Sequence, residues 1–332
     1  MKRLTSTGLV FGVLALAIVV GSVLTATQGR NFFSSGNTSS ILTGMSVLGF
    51  IAVGQTLVIL AGSLDLSVPY VVSLCSLVAG GVMAGQDADI VPGVLAALGV
   101  AAAIGLVNGL VVTFLDVHGF IATLGMGLLI SGYLASNYQG SSGSAPRDFR
   151  LVGATQIGPV PISALIMLGC AVLAIVLLRQ TRLGHHLYAT GGNRDVARLS
   201  GLRTWLPVVV AHVLCAVLSG VAGLLLLSRL SVGSPTIGTQ GNYALMSIAA
   251  VVLGGAVLAG GKGTITGTLA GVAIFAVMDN VMGVLEVNPF LKDVVRGVVI
   301  VAAVAVYARR DIDRRPARFE RPTLLKSIEE TS

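Results

Sequence analysis

Arg179, Arg182, Arg194, Arg198 and Arg203 crowd one polar passage, "GHHLYATGGNRDVARLSGLRT" at 184–204 with its left flank, against the single acid Asp195. Guanidinium groups gathered in this way cleave nothing; they hold carboxylates or phosphates through charge-assisted hydrogen bonds. A second stretch, "LAGGKGTITGT" at 258–268, has the look of a phosphate loop. A nucleotide-binding loop needs Gly-Lys followed by Ser or Thr, after a strand. Here Gly263 follows Lys262, so we read a tight cytoplasmic turn and expect no ATP binding by the chain itself. Cys75, Cys170 and Cys215 lie in apolar runs without paired spacing, as small buried hydrophobes do. His118, His185, His186 and His212 form no metal-type cluster. No set of His, Ser and acidic groups converges for bond chemistry, so an enzyme is not expected and no catalytic, cofactor-binding or metal-binding residue is assigned.

Asp65, in "QTLVILAGSLDLSVPY" at 55–70, sits among Gly62, Ser63, Ser67 and Pro69. Gly and Pro break a helix there, and Ser67 can cap the helix that restarts. Spacing alone fits either a capped turn or an element of a translocation path, since irregular backbone at membrane depth must be buried in protein or line a cavity. Gln55, Asn108, Thr123 and Asn280 are uncharged polar residues within apolar runs. Such groups hydrogen-bond neighbouring helices or a polyhydroxylated solute.

The elements that position these residues are membrane spans. The 332 residues are 54% hydrophobic and 11% charged, less than half the roughly 25% charge of soluble domains. Mean hydropathy is +0.91. The chain is therefore read as one all-α polytopic membrane domain, 1–332. Apolar runs predict spans near 8–26, 41–61, 67–85, 90–114, 119–136, 160–180, 207–230, 243–260, 264–285 and 293–309. The first run, of about 19 residues, exceeds a signal-peptide core and is kept as an uncleaved span. With the N-terminus inside, only Arg30, Arg147, Arg150, Arg229, Lys292 and Arg296 of the 21 Lys and Arg residues fall outside. The positive-inside bias thus places both termini, the loop 179–206 and the tail 310–332 in the cytoplasm. A sequence pI near 9.7 reflects this loop bias, and no nucleic-acid partner is expected.

The two halves resemble each other. Tyr70 pairs with Tyr243, Asn108 with Asn280 and Phe120 with Phe290, all at offsets of about 170 residues. Five spans per copy is odd, so the second copy enters the membrane inverted, a construction of transporters.

Three blocks carry a family resemblance: "GQTLVILAGSLDLSV" at 54–68, "NGLVVTFLDVHGFIATLG" at 108–125, and "GHHLYATGGNRDVARLSGLRT" with "SIAAVVLGGAVLAGGKGTITGT" at 247–268. From about residue 40 to 309 the chain resembles the permease subunit of bacterial ABC importers, in the branch serving ribose, xylose, arabinose and galactosides. The resemblance implies import of a sugar or sugar-like solute across the bacterial inner membrane. It implies a second permease copy, identical or related, and a periplasmic or lipid-anchored solute-binding protein; bilayer lipid surrounds the spans. It also implies a separate ABC ATPase subunit that binds the ATP. Residues 188–202 would then be the ATPase-coupling element, with Tyr188, Gly191, Gly192, Asn193, Arg194, Asp195, Arg198 and Gly201 as its key positions. Its short helix is expected at Asp195–Leu199, entered through a loop at Gly191-Gly192-Asn193. Gln55, Asp65, Ser67, Asn108, Phe120, Thr123 and Asn280 are the candidate path residues. The Ser- and Gly-rich outer loop 137–159 is a candidate docking surface for the binding protein.

The chain departs from the family pattern in places. Gly62-Ser63-Leu64 stands where Gly-Gly-Ile is usual, Pro69 replaces a Gly, and Gly119 replaces the Pro before Phe-Ile. Ala244 and Met246 replace usual acids. The rival reading is an ion-coupled secondary carrier of a small polar solute built on the same repeat.

Overall fold

The computed structural model describes residues 6–312, with side chains over 8–302. The N-terminal Lys2 and Arg3, and the tail beyond 312, lie outside the described residues. The chain is helical almost throughout: α1 (Ser6–Thr27), α2 (Ser35–Leu60), α3 (Val68–Met83), α4 (Ile90–Phe114), α5 (Gly119–Asn137), α6 (Arg147–Ala154) and α7 (Ile162–Gln180). Then come α8 (Arg182–Gly192), α9 (Arg194–Leu199), α10 (Trp205–Leu230), α11 (Ile237–Gln240), α12 (Tyr243–Leu253), α13 (Ile265–Val284) and α14 (Pro289–Ile312). A two-residue hairpin, Gln156–Ile157 with Val160–Pro161, lies between α6 and α7.

Each of the ten segments expected to span contains a helix. Among the described residues, seven are long and apolar enough to cross a membrane: α1, α2, α4, α5, α7, α10 and α13. Of the other three, α14 covers the expected 293–309 and two are shorter than expected. α3 and α12 have only 16 and 11 residues, so at about 1.5 Å per residue neither crosses about 30 Å of hydrocarbon. The expected span 243–260 stops at Leu253 because Gly254, Gly255, Gly260 and Gly261 follow, and the last three adopt positive φ. α14 carries Lys292, Asp293 and Arg296 in its first two turns. The two short helices begin at Val68 and Tyr243, corresponding places in the aligned halves.

The core is built around α2, α10 and α13, which are mostly buried, whereas α1, α4, α5 and α7 turn most of their surface outward. Leu95, Leu129 and Leu173 are each at least 65% exposed, a surface that suits hydrocarbon and not water. Close helix approach explains several small residues. A β-carbon on Gly54 would lie 2.8 Å from Cys215 Cα. On α4, the Gly105-xxx-Gly109 pair meets the backbone of α10 at His212 and Val209, the small-residue seam by which membrane helices pack. The segment Ser231–Asn242, which contains α11, lies against α3: Ser73 Oγ accepts from Gly238 N at 3.0 Å and Ser76 Oγ from Ser234 N at 3.3 Å.

Within the loop 137–159, α6 is fastened to the end of α10. Ser228 Oγ donates to Phe149 O (2.6 Å) and accepts from Gly153 N (2.8 Å).

Candidate functional site

Two polar assemblies sit at opposite ends of α2. Ser40 and Leu60 are twenty residues apart on this helix, about 30 Å.

At the Leu60 end the chain leaves helix. Ala61–Ser67 runs as an irregular connector to α3, with Gly62 at φ +81°. Leu60 O, free of the helix ladder, accepts from Gly261 N at 3.1 Å. Three glycine-bearing strands of backbone stack here. A β-carbon on Gly191 would fall on Leu60 O, and one on Gly260 would lie 2.7 Å from Gly191 O. Only glycine lets α8 lie directly on the break. Tyr188 adds a clamp, its hydroxyl donating to Gly263 O at 2.9 Å. Burial pushes the Tyr188 phenol above its ordinary pKa, with Arg179 pulling weakly the other way, so it remains a donor at neutral pH.

This corrects the expected loop. Gly191 and Gly192 end α8, and residues 182–199 are two short helices rather than an extended entry. Asn193 is the hinge between them: its Oδ1 accepts from Asp195 N and Val196 N, both at 3.0 Å. This N-cap sets α9 from Arg194, one residue earlier than expected. Asp195, Arg198 and Gly201 are exposed, and Gly201 turns the chain away at φ +80°. Arg194 Nη1 reaches Asp116 Oδ1 at 3.3 Å, linking α9 to the connector between α4 and α5. Leu199 and Val196 are 88% and 57% exposed on the same short helix. α9 thus offers two apolar side chains flanked by Arg194 and Arg198.

Five of the seven candidate path residues converge on the connector. Asp65 Oδ1 accepts from Ser67 N (2.9 Å) and Ser67 Oγ (2.6 Å). Ser67 Oγ in turn accepts from Asn108 Nδ2 at 3.0 Å. Thr123 Oγ1 accepts from Leu66 N at 2.9 Å and lies 3.2 Å from Leu64 O. The Gln55 carboxamide faces the Asp65 main chain, 3.2 Å from both its N and its O, in the amide orientation that satisfies both groups. All five side chains are buried, and Asp65 Oδ2 is left without a hydrogen bond. In this conformation Gln55, Asp65 and Thr123 bind the connector's backbone polar groups, which hydrocarbon would otherwise leave unmet, while Asn108 and the Ser67 hydroxyl hold the Asp65 carboxylate in place. His212, fully buried, joins from α10. Its Nδ1 lies 2.9 Å from Val208 O and its Nε2 3.3 Å from Ser63 Oγ. A proton on Nδ1 lets Nε2 accept from the serine.

Phe120 and Asn280 are elsewhere. Phe120 is 44% exposed on the outer side of α5. Asn280 lies at the Ser40 end of α2 and lines a cavity of about 350 Å³ together with Ser40, Tyr243, Asp279 and Arg296. Arg296 Nε meets Asp279 Oδ1 and its Nη1 meets Asp293 Oδ1, each at 2.9 Å. Sequence reasoning passed over Asp279, Tyr243 and Arg296 as path residues. The available signal was an arginine inside an expected span, which is costly unless it is paired. Among the described residues no three His, Cys, Asp or Glu side chains gather to hold a metal.

Residues 37–304 match the family described as branched-chain amino acid transport system/permease component. The chain is 40% identical to the ribose import permease protein RbsC of Escherichia coli (strain K12) over 88% of its length and 91% of that protein's. It is 32% identical to the galactose/methyl galactoside import permease protein MglC of the same strain, over 85% and 90%. It is also 32% identical to the L-arabinose transport system permease protein AraH of that strain, over 82% and 83%. No solved structure matches.

Proposed function

The chain belongs to the branched-chain amino acid transport system/permease component family, and on that premise we propose that it is the membrane-spanning permease subunit of an ATP-driven importer for a sugar or sugar-like solute. The observation that carries the solute class is the similarity, over more than four-fifths of both chains, to permeases named for ribose, galactosides and arabinose. In this reading α8 and α9 form the coupling element. The exposed Val196 and Leu199 with Arg194 and Arg198 present an apolar knob ringed by positive charge, matched to an acidic cleft of an ATPase subunit. Closure of two such ATPases would push α8 against Gly62 and Gly261. That displacement reaches the buried connector Ala61–Ser67 and the polar groups that hold it.

Two permease copies, identical or related, would enclose the path, with a periplasmic or lipid-anchored binding protein delivering solute on the far side. The short helices α3 and α12, at corresponding places in the two halves, support an inverted repeat whose interrupted segments flank that path. Both chain ends would then face the cytoplasm, in the inner membrane. The chain itself performs no bond chemistry and binds no ATP. Purification of the tagged chain in mild detergent tests this: a stoichiometric nucleotide-binding subunit should accompany it and be lost when 191–198 is scrambled. Recovery of the chain alone, active in uptake, would overturn it.

A further inference from the structure

We propose that the cavity at the Ser40 end of α2 is a solute subsite for an uncharged polyhydroxylated molecule, read by Asn280 and Arg296. This deepens the transport reading above and rests on it. The cavity holds about 350 Å³, inside the roughly 300–1,000 Å³ of small-molecule sites. A neighbouring cavity of about 530 Å³ shares Ser40 and Asn280 and is lined as well by Arg30 and Asn31, the connection from α1 to α2. Both lie about 30 Å from the α8–α9 element along α2, on the side where solute would arrive.

Three features point to a ligand. Asn280 Oδ1 is buried and has no hydrogen bond, and a buried acceptor left unmade is costly unless something completes it. Its counterpart in the first half, Asn108, is engaged: its Nδ2 donates to Ser67 Oγ at 3.0 Å. The same residue type at the corresponding place is thus structural in one half and unengaged beside a cavity in the other.

The second feature is Arg296. Asp279 takes Nε and Asp293 takes Nη1, which locks the planar guanidinium in place. Among the described residues its Nη2 has no protein partner, so it can donate to a bound oxygen. Two carboxylates outweigh its single positive charge, so Arg296 offers a hydrogen bond without a net attraction for anions. The third feature is the wall, where Tyr243 and Met246 supply apolar surface beside the polar groups. A free acceptor, a fixed donor and an apolar wall suit the alternating hydroxyl and C–H faces of a sugar.

The test uses the full transporter, with its ATPase and binding protein, in native membranes. Uptake of radiolabelled D-ribose, D-galactose, L-arabinose and L-leucine first identifies what the intact protein carries. Asn280→Cys and, separately, Ser40→Cys are then labelled with a small methanethiosulfonate reagent. The transported sugar at saturating concentration should slow labelling at both positions at least five-fold, while L-leucine leaves it unchanged. Asn280→Ala should lower sugar uptake at least five-fold at unchanged membrane level, and Asn280→Asp, which keeps the acceptor, should restore most of it. Labelling indifferent to a sugar that the protein does carry, or no labelling at either position, overturns the site while leaving the transport reading intact. Uptake of L-leucine and of no sugar overturns both.

Discussion

Ser63 Oγ occupies the space that a β-carbon on residue 119 would take. Both positions depart from the family pattern, which has Gly where Ser63 stands and Pro where Gly119 stands. The contact explains the departures as one event: a hydroxyl added at 63, held 3.3 Å from His212 Nε2, requires the loss of the side chain at 119. Gly119→Ala alone should overpack this point and lower stability by about 1–3 kcal/mol. The double variant Ser63→Gly/Gly119→Ala should recover most of that loss, as coupled neighbours do. Thermal unfolding of the four proteins in detergent reads the cycle. Strict additivity would show that the two residues do not share the space.

Thr123 serves two connector groups, accepting from Leu66 N and lying in reach of Leu64 O. Thr123→Val keeps the shape and strands the part-buried Leu66 N–H, at a cost of about 1–3 kcal/mol. Thr123→Ser should cost far less. Comparable melting temperatures for the valine and serine variants would show that the connector is not held through this oxygen.

Gly191 tolerates no β-carbon against Leu60 O. Gly191→Ala should therefore displace α8, and coupled ATPase activity should fall at least ten-fold while the spans still fold. Gly192 has open space around it, so Gly192→Ala is the matched control, with little effect expected. Equal behaviour of the two variants in a solute-stimulated ATPase assay would refute the stacked-glycine contact.

The ion pair of Arg194 with Asp116 is exposed on both sides, 44% and 88%. Such pairs contribute under about 1 kcal/mol and weaken with salt. Arg194→Glu should leave the melting temperature within a degree or two, by that magnitude, yet disrupt association with an acidic ATPase cleft. Paired measurements of melting and co-purification separate the roles. A large loss of stability would mean that the arginine is structural.

Much of this architecture was legible because apolar runs bounded by Gly, Pro and charge report spans directly. The predicted 90–114 coincides with α4, and the neighbouring spans agree within a few residues except at α2, whose start lies six residues earlier. The short α12 was not legible, because Leu253–Leu258 is apolar yet Gly255 takes positive φ, which hydropathy does not register. Gln55, Asp65, Ser67, Asn108 and Thr123 were legible as candidates from their polarity within apolar runs, but the sequence did not separate them from Asn280, which lies at the other end of α2. What each binds was not readable, because partners such as Leu66 N and Asp65 O are backbone atoms brought near by the fold. Arg296 was counted as a loop charge although it falls inside the expected span 293–309, and its ion pair with Asp279 of α13 shows a paired residue beside a cavity.

The central claim, that this chain is the passive half of an ATP-driven sugar importer, is tested most directly by energised uptake in proteoliposomes. The reconstituted permease with its ATPase and binding protein should accumulate D-ribose, D-galactose or L-arabinose only when ATP is enclosed on the α9 side, with proton and sodium gradients collapsed. Accumulation driven by either gradient, in the permease alone and without ATP, would contradict the account and identify a secondary carrier.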